Sequence, residues 1–323
     1  MPLEFDEVIV CALMLTKTFP VQDPIEALLS APETAVLAVI AGVEGPSYRP
    51  VGAMMAVLSE DERAGTLSSG CIESDISLHA LEAAKAGAPR LLRYGRGSPF
   101  VDIQLPCGGG LDILLLPKPD REVLEKVAEN RRARRPCALR INLDDGAMTI
   151  AAPTPTFRED RYLTLLFEPD IRFLVFGKGP EASTFAALVQ SAGYPNQLLS
   201  PDVETLEAGV ASGCETRHLV GMSFPLDLGV DDRTAVVLFF HDHDWEPPIL
   251  AGALETSAFY IGAQGSQRAR DERLLALEML GVDRPALDRL HGPVGLIPSA
   301  RDAGTLAVSV LAEVLAKAMA RTK

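Results

Sequence analysis

The sequence has few of the residues that metal and disulfide frameworks need. Its 323 residues include five cysteines, five histidines and one tryptophan, and no two cysteines form a CxxC pair. An odd number of scattered cysteines fits reduced thiols and offers no zinc-ribbon spacing. No apolar run approaches the roughly 18 residues that a membrane span needs. We therefore expect neither a disulfide scaffold nor a membrane-spanning protein.

Positive charge is also scarce. Lysine and arginine number 30 against 44 aspartate and glutamate residues, which gives a net charge of -14. Such a field repels a phosphate backbone, so nucleic-acid binding is excluded as the main function. The apolar run at residues 8–15 follows acidic residues where a signal peptide would carry lysine or arginine. We therefore predict a cytoplasmic protein.

The chain length predicts two domains, both of the α/β class. Residues 1–152 combine short apolar runs, glycine-rich turns and two helical patterns, which predicts a small N-terminal α/β domain. Residues 153–170 are rich in proline, threonine and charge, and we predict a linker there. From 171 to 323, apolar strands alternate with helices. This alternation predicts a Rossmann-like parallel-sheet domain that binds ligands at the carboxyl ends of its strands.

A glycine-rich turn opens the second domain. Gly177, Lys178 and Gly179 follow a predicted strand and begin a helix, as the dinucleotide fingerprint GxGxxA requires. Gly179 would let an anionic ligand approach the backbone amides, and Asp202, at the end of the next strand, could bind a ribose hydroxyl. Glu181, beside the expected phosphate, weakens the nicotinamide interpretation. The turn predicts a site for a phosphate-bearing ligand, with a turn kept only for packing as the alternative.

Polar residues also follow the third strand of this domain. His241, Asp242 and His243 stand where a parallel sheet binds its ligands. They could hydrogen-bond a cofactor ring or ligate a metal, although a pair of histidines two residues apart is a weak metal signal alone. A strand-end turn capped by aspartate is an equally good explanation.

The next strand ends in a second candidate anion cradle. Ser266 can cap the following helix, and arginines stand in or beside its first turn. An ordinary capped turn with solvated arginines is the alternative. The candidate residues of this cradle are Gly262, Gly265, Ser266 and Arg268.

The first domain contributes three polar or glycine-rich loops. Cys71 lies near a helix start and Cys107 among glycine amides, so either thiol could act as a nucleophile or a soft-metal ligand. A buried small hydrophobe is the ordinary role of a single cysteine. The candidates in these loops are Ser47, Arg49, Gly70, Cys71, Glu73, Cys107, Gly108 and Gly109.

Taken in order, these loops resemble the XdhC/CoxI family of accessory proteins for xanthine dehydrogenase and related molybdenum hydroxylases. The resemblance covers about residues 33–318, and it is specific because separate motifs occur in the family's order. The motifs are GPSYRPVGAMMAV, SSGCIESDI, CGGGLDILLLP, FLVFGKGPEA, FFHDHD, YIGAQGSQRARDERLLAL and RLHGPVGLIPSARDAGTLAVSVLAEVLAKA.

The resemblance implies binding of the molybdenum cofactor, as molybdopterin or its dinucleotide form. It implies that the protein protects this cofactor while a cysteine desulfurase partner installs the terminal sulfur, and then delivers it to an apo xanthine dehydrogenase-type hydroxylase. Cys107 and Cys71 would lie near the molybdenum or its sulfur. A homodimer is expected by analogy, since most soluble oligomers are symmetric homo-oligomers.

Three hypotheses of function follow. The first is a cofactor-binding maturation chaperone, which needs affinity and shielding rather than turnover of its own. The second is an NAD(P)-dependent oxidoreductase that uses the GxGxxA turn, with His243 as its general acid. The third is a metal hydrolase built on His241, Asp242 and His243.

Overall fold

The computed structural model describes residues 23–70, 72–99, 105, 108–241 and 244–321. Their contacts divide the chain into two compact units, Met1–Pro169 and Asp170–Lys323. Each unit combines helices with sheet, so the predicted α/β class and two-part organisation are observed.

The first unit contains two antiparallel sheets. Their strand orders are β3-β2-β1-β5-β4 and β7-β6-β9-β8. In chain order the helices and strands of this unit are α1 (Pro24–Ser30), β1 (Val36–Glu44), β2 (Met54–Val57), β3 (Arg63–Gly65), α2 (Glu73–Ala86), β4 (Arg90–Gly95), β5 (Gly110–Pro117), α3 (Arg121–Arg132), β6 (Cys137–Asn142), β7 (Met148–Ala151), β8 (Phe157–Glu159) and β9 (Tyr162–Phe167).

Strand β1 is buried on both faces, which explains its continuous apolar sequence. Leu37 and Val39 face one core cluster, whereas Val36, Ala38 and Ile40 face another. Side chains of α1, α3 and the second sheet complete the first cluster, and α2 covers the second. Because side chains alternate along a strand, this burial on both faces needs an apolar residue at every position.

Half of the segment predicted as a linker lies in strands β8 and β9. Strand β9 pairs with the whole of β6, from Cys137 opposite Phe167 to Asn142 opposite Tyr162. Leu163 and Leu165 on β9 are buried in the core of the first unit. The proline- and threonine-rich composition applies only to the short connection before β8. The first unit therefore extends to Pro169 rather than to residue 152.

Glu73, predicted as a cofactor contact, holds the loop that precedes α2. Its carboxylate is 4% exposed and accepts hydrogen bonds from donors on both sides of the loop. Burial raises its pKa, but the hydrogen bonds of Ser68 and Thr66 outweigh burial and lower the pKa to about 2. The donors are the backbone N–H groups of Leu67, Ser68, Gly70 and Ile72 and the hydroxyls of Thr66 and Ser68.

The second unit is the predicted parallel sheet, with strand order β12-β11-β10-β13-β14-β15. In chain order its helices and strands are β10 (Arg172–Gly177), α4 (Pro180–Ser191), β11 (Asn196–Ser200), α5 (Val203–Ala211), β12 (Glu215–His218), β13 (Thr234–Phe239), α6 (Glu246–Leu254), β14 (Tyr260–Ala263), α7 (Gln267–Met279), α8 (Arg284–Leu287), β15 (Leu290–His291) and α9 (Ala303–Arg321). The strand order reverses beside β10, which is where open parallel sheets bind ligands.

Helix α9 is long and apolar enough to cross a membrane, the one such helix among the residues that the structure describes. Its residues Ala307, Val310 and Val314 belong to the same core cluster as Phe173 of β10 and Phe185 of α4. This buried face is typical of a core helix, which can satisfy the same criteria of length and composition.

We expect Glu73→Gln to lower the free energy of unfolding at pH 7 by about 2–3 kcal/mol, because the amide turns an acceptor into a donor that faces other donors. Urea unfolding followed by circular dichroism measures the change. Glu122→Gln is the matched control, since Glu122 is exposed in the first turn of α3.

The same pair of proteins should show a defined pH dependence. A pKa lowered from 4.5 to about 2 makes the Glu73 contribution fully present above about pH 5 and lost as the pH falls toward 2. The stability difference between wild type and Glu73→Gln should stay constant from about pH 7 to 5 and shrink below that. A difference that persists unchanged at about pH 3 would contradict the assignment.

Candidate functional site

Two clefts open at the carboxyl edge of the parallel sheet. The larger cleft, about 840 Å³, lies beside the ends of β13 and β14 and the loop 293–302. The smaller cleft, about 690 Å³, lies beside the turn after β10 and the end of β11. Glu181, Phe240 and His241 line both clefts and form the wall between them. Both volumes suit a small-molecule ligand.

The backbone amides of the GxGxxA turn already donate hydrogen bonds within the protein. The N–H of Lys178 donates to the carbonyl of Phe239 at 3.1 Å, and the N–H of Gly179 donates to the Thr205 hydroxyl at 2.8 Å. The next residue is Pro180, which has no N–H. A side chain at Gly177 would lie 2.6 Å from the Phe239 carbonyl, so this glycine serves close packing. The first amides of the turn are therefore not open to a phosphate.

Asp202 lines the smaller cleft, but one of its oxygens caps helix α5. Its Oδ2 accepts hydrogen bonds from the Thr205 hydroxyl at 2.6 Å and from the Thr205 N–H at 3.0 Å. These bonds lower the pKa of Asp202. A chain of hydrogen bonds thus joins Asp202, Thr205 and Gly179. Thr205 was not predicted from the sequence as a residue of this site, although Asp-x-x-Thr at a helix start is a capping pattern.

Glu181 stands in the first turn of α4, the end that a dinucleotide phosphate would approach. Its Oε2 is buried and has no hydrogen-bond partner among the described residues. Nε2 of His241 lies 3.4 Å from this oxygen, on a side chain that is 72% exposed. The helix dipole favours a carboxylate at this position, and the carboxylate repels a phosphate.

The outer wall of the larger cleft is held by helix α9. The N–H of Ile297 donates to the Ser309 hydroxyl at 2.7 Å, and the N–H of Gly295 donates to the Glu313 carboxylate. The other oxygen of Glu313 accepts from the Tyr260 hydroxyl at 2.9 Å. Burial and the Glu313 charge raise the pKa of Tyr260, so its hydroxyl stays protonated. The loop 293–302 is therefore fixed to β14 and α9.

The inner wall rests on a buried ion pair. Nε of Arg273 lies 2.9 Å from Oε2 of Glu246, and both side chains are almost fully buried. Arg273 also donates to the carbonyl of Gln264 at 2.6 Å, and the Gln264 amide donates to the carbonyl of Phe240 at 3.3 Å. These contacts fix the ends of β13 and β14. A buried arginine with a carboxylate on another helix carries no clear signal in sequence.

The cation nearest the larger cleft is Arg301, which the sequence did not indicate. Arg301 lines this cleft and has no carboxylate partner within the part of the chain that the structure describes. Arg268, the predicted anion ligand, instead pairs with Glu272 at 2.8 Å on the exposed surface of α7. Arg270 lies beside Asp271. The positive charge of this cleft therefore comes from the loop before α9.

The other predicted residues of this cradle have different positions. Gly265 and Ser266 line the larger cleft, and the Ser266 hydroxyl caps α7 by accepting from the N–H of Ala269 at 3.2 Å. Gly262 does not line it: a side chain there would lie 2.7 Å from the Tyr260 ring. Gly262 is a packing residue.

Two of the polar loops of the first unit meet at one end of its first sheet. A side chain at Gly109 would lie 2.0 Å from the Pro46 carbonyl, so the loop after β1 and the loop before β5 are in contact. The Ser47 hydroxyl donates to the carbonyl of Arg49 at 2.7 Å. Nε of Arg49 is buried with no hydrogen-bond partner in the described residues.

The glycines of these loops shape the backbone. Gly70 and Gly108 both have positive φ, at 104° and 70°. Cys71 and Cys107, the predicted molybdenum or sulfur contacts, lie outside the described residues, as do Asp242 and His243. Of the thiols that are described, Cys137 and Cys214 are buried, and burial raises the pKa of both. They fit the role of small hydrophobes.

Within the described residues, no three histidine, cysteine, aspartate or glutamate side chains converge as a metal site. The hydrolase hypothesis depends on Asp242 and His243, which lie outside the described residues. The metal roles of Cys71 and Cys107 likewise stay predictions.

Comparison with known proteins gives consistent matches across both units. A family model described as the XdhC Rossmann domain matches residues 173–314, and a model of the XdhC and CoxI family matches residues 28–95. A solved structure described as a xanthine dehydrogenase from Bacillus halodurans covers 93% of this chain and 97% of its own, with a TM-score of 0.77 and 23% identity. At that identity it supports the fold alone.

Two curated relatives match nearly the whole chain. The Escherichia coli (strain K12) molybdenum cofactor insertion chaperone PaoD is 36% identical over 90% of this chain and 85% of its own length. A Bacillus subtilis (strain 168) protein described as a probable xanthine dehydrogenase subunit is 26% identical over 90% of this chain and 95% of its own length. The two domain matches and the near-complete alignment to PaoD show that the chain belongs to the XdhC/CoxI family.

Proposed function

We propose that this chain is a molybdenum cofactor insertion chaperone, which holds molybdopterin and delivers it to an apo xanthine dehydrogenase-type hydroxylase. Family membership and the 36% identical chaperone support this function. The observation that carries it is the larger cleft, which presents an unpaired cation and a buried acceptor beside the carboxyl ends of parallel strands. When bound, the cofactor supplies the molybdenum redox centre of the client enzyme.

The residues of the larger cleft fit the two chemical ends of molybdopterin. Its phosphate needs cations and N–H donors, which Arg301 and the turn at Gly265 and Ser266 can supply. Its pterin ring carries N–H donors, and the buried Oε2 of Glu181 is an acceptor that lacks a partner within the described chain. A cleft of about 840 Å³ has room for a ligand of this size.

Holding and release need no covalent step by this chain, so we propose a chaperone rather than a stand-alone enzyme. Cys71 and Cys107 remain our candidates for contacts to the molybdenum or its sulfur. We further propose that a cysteine desulfurase supplies that sulfur, that the protein is cytoplasmic and that it acts as a homodimer. The cofactor that we propose is molybdopterin or its dinucleotide form.

The contacts of the GxGxxA turn disfavour the alternative NAD(P)-dependent oxidoreductase. A dinucleotide phosphate would need amides that Lys178 and Gly179 already donate to Phe239 and Thr205. It would also approach the Glu181 carboxylate, which repels it. These contacts support a turn whose amides are already hydrogen-bonded within the protein, with the ligand bound outside the turn.

We expect Arg301→Ala to reduce the cofactor retained by the purified protein roughly tenfold, because a charge-assisted contact to the phosphate is lost. The protein is expressed in a host with intact cofactor synthesis, and released pterin is oxidised and measured by its fluorescence. Arg268→Ala is the matched control, since Arg268 pairs with Glu272 on the surface. Wild type without pterin would refute the proposed function, whereas equal retention by Arg301→Ala would refute only this residue's role.

A second prediction concerns nicotinamide cofactors. Trp245, the single tryptophan, lines the smaller cleft and stacks on Phe240 with ring centroids 5.9 Å apart. A nicotinamide ring bound there would accept energy from it. We expect titration with NADH and NADPH to give no saturable energy transfer from Trp245. Saturable transfer, followed by hydride transfer to any carbonyl substrate, would restore the oxidoreductase hypothesis.

A further inference from the structure

We propose that Glu181 is the pterin-recognising residue, which accepts hydrogen bonds from the ring N–H and the 2-amino group of the pterin. This inference rests on the proposed function and deepens it. In this arrangement Glu181 selects the ring system, and the loop before α9 binds the phosphate. Because the two contacts are made to opposite ends of the cofactor, they give it one orientation in the larger cleft.

The chemistry of the ring favours a carboxylate partner. The 2-amino-4-oxo ring of a pterin presents two neighbouring N–H donors that point the same way, as the corresponding edge of guanine does. A carboxylate can accept two parallel hydrogen bonds, and it does so with the fork of an arginine side chain. A ring with a carbonyl in place of the amino group would face the same carboxylate with a lone pair. One side chain can therefore separate these two ring types.

The surroundings of Glu181 leave it available for such a ligand. Its Oε2 is shielded from solvent yet accepts no hydrogen bond from the described residues. Leaving a buried acceptor without a donor is unfavourable, and a ligand that supplies the donor recovers that free energy. His241 at 3.4 Å covers this oxygen, and its largely exposed side chain can turn toward solvent without disturbing the core.

The backbone beside Glu181 is also open. A side chain built at Gly179 would meet only Glu181 Oε2, at 3.8 Å, so the glycine leaves space next to the carboxylate. Gly179 itself is held by Thr205, and Ala182, which follows Glu181, is fully buried against the core. The carboxylate is thus positioned by a rigid turn, which is what selective recognition of a flat ring requires.

Arg301 lies on the same cleft as Glu181. Glu181 and Arg301 both line the larger cleft, and they carry opposite charges suited to opposite ends of one ligand. Glu181 alone would repel an isolated phosphate, and Arg301 alone would accept any anion. A molecule with a donor edge and an anionic tail satisfies both residues at once, whereas a nicotinamide dinucleotide has no such edge.

The experiment compares wild type, Glu181→Gln and Glu204→Gln. Glu204 is the matched control because it is an exposed glutamate in the first turn of the neighbouring helix α5. Unsubstituted pterin and lumazine, its 2-oxo counterpart, serve as probes, and binding is followed by probe fluorescence polarisation. The cofactor retained after co-expression is measured in parallel, and thermal unfolding verifies that each variant is folded.

We expect wild type and Glu204→Gln to bind pterin roughly tenfold or more tightly than lumazine, and Glu181→Gln to lose this preference along with most retained cofactor. Equal affinity of wild type for the two probes, no binding of pterin by wild type, or full retention by a folded Glu181→Gln protein would each overturn the inference. If wild type retains no cofactor after co-expression, the proposed function itself fails.

Discussion

The hydrogen bond from the Gly179 amide to the Thr205 hydroxyl is the constraint on which the arrangement of the second unit depends. In a dinucleotide-binding turn this amide faces a phosphate, whereas here Thr205, held by Asp202, takes its place. The turn is complete without a ligand. The carboxylate of Glu181 stands in the first turn of α4, at the helix end that a phosphate would approach.

The larger cleft is built by groups that never touch its interior. Tyr260 and Glu313 join β14 to α9, and the buried pair of Arg273 and Glu246 joins α7 to α6. Each pair compensates buried charge or polarity with a specific partner, so each fixes the relative position of two elements. These supports are polar and directional, so they specify the position of the cleft wall more narrowly than apolar contacts alone would.

Sequence patterns predicted the parts of the fold that follow from continuous apolar runs. The alternation of apolar strands with helices in the second unit was recognised in this way, since strands buried on both faces need apolar residues throughout. Strand β9 was missed because its alternating Leu163 and Leu165 follow a proline-rich connection. The antiparallel order of the first unit could not be predicted, since pairing partners lie far apart in the chain.

The candidate site was predicted only in outline. The edge of the sheet and the glycine turns followed from general rules for parallel folds. Arg301 was missed because its place beside the cleft depends on distant contacts between its loop and Ser309 and Glu313. Glu181 was recognised in the sequence as unfavourable for a phosphate. Its contact with His241 could not be predicted, because the two residues are brought together only by the folded sheet. The i to i+4 pairing of Arg268 with Glu272 was not anticipated from the sequence.

The attachment of the loop 293–302 to α9 has a consequence for exchanging parts between relatives. The loop carries the cation, but the hydroxyl of Ser309 and the carboxylate of Glu313 that shape it belong to the helix. The loop and the helix should therefore be exchanged together as one unit. A chimera that takes the loop without its helix would contain the arginine but lose the contacts from α9 that position the loop.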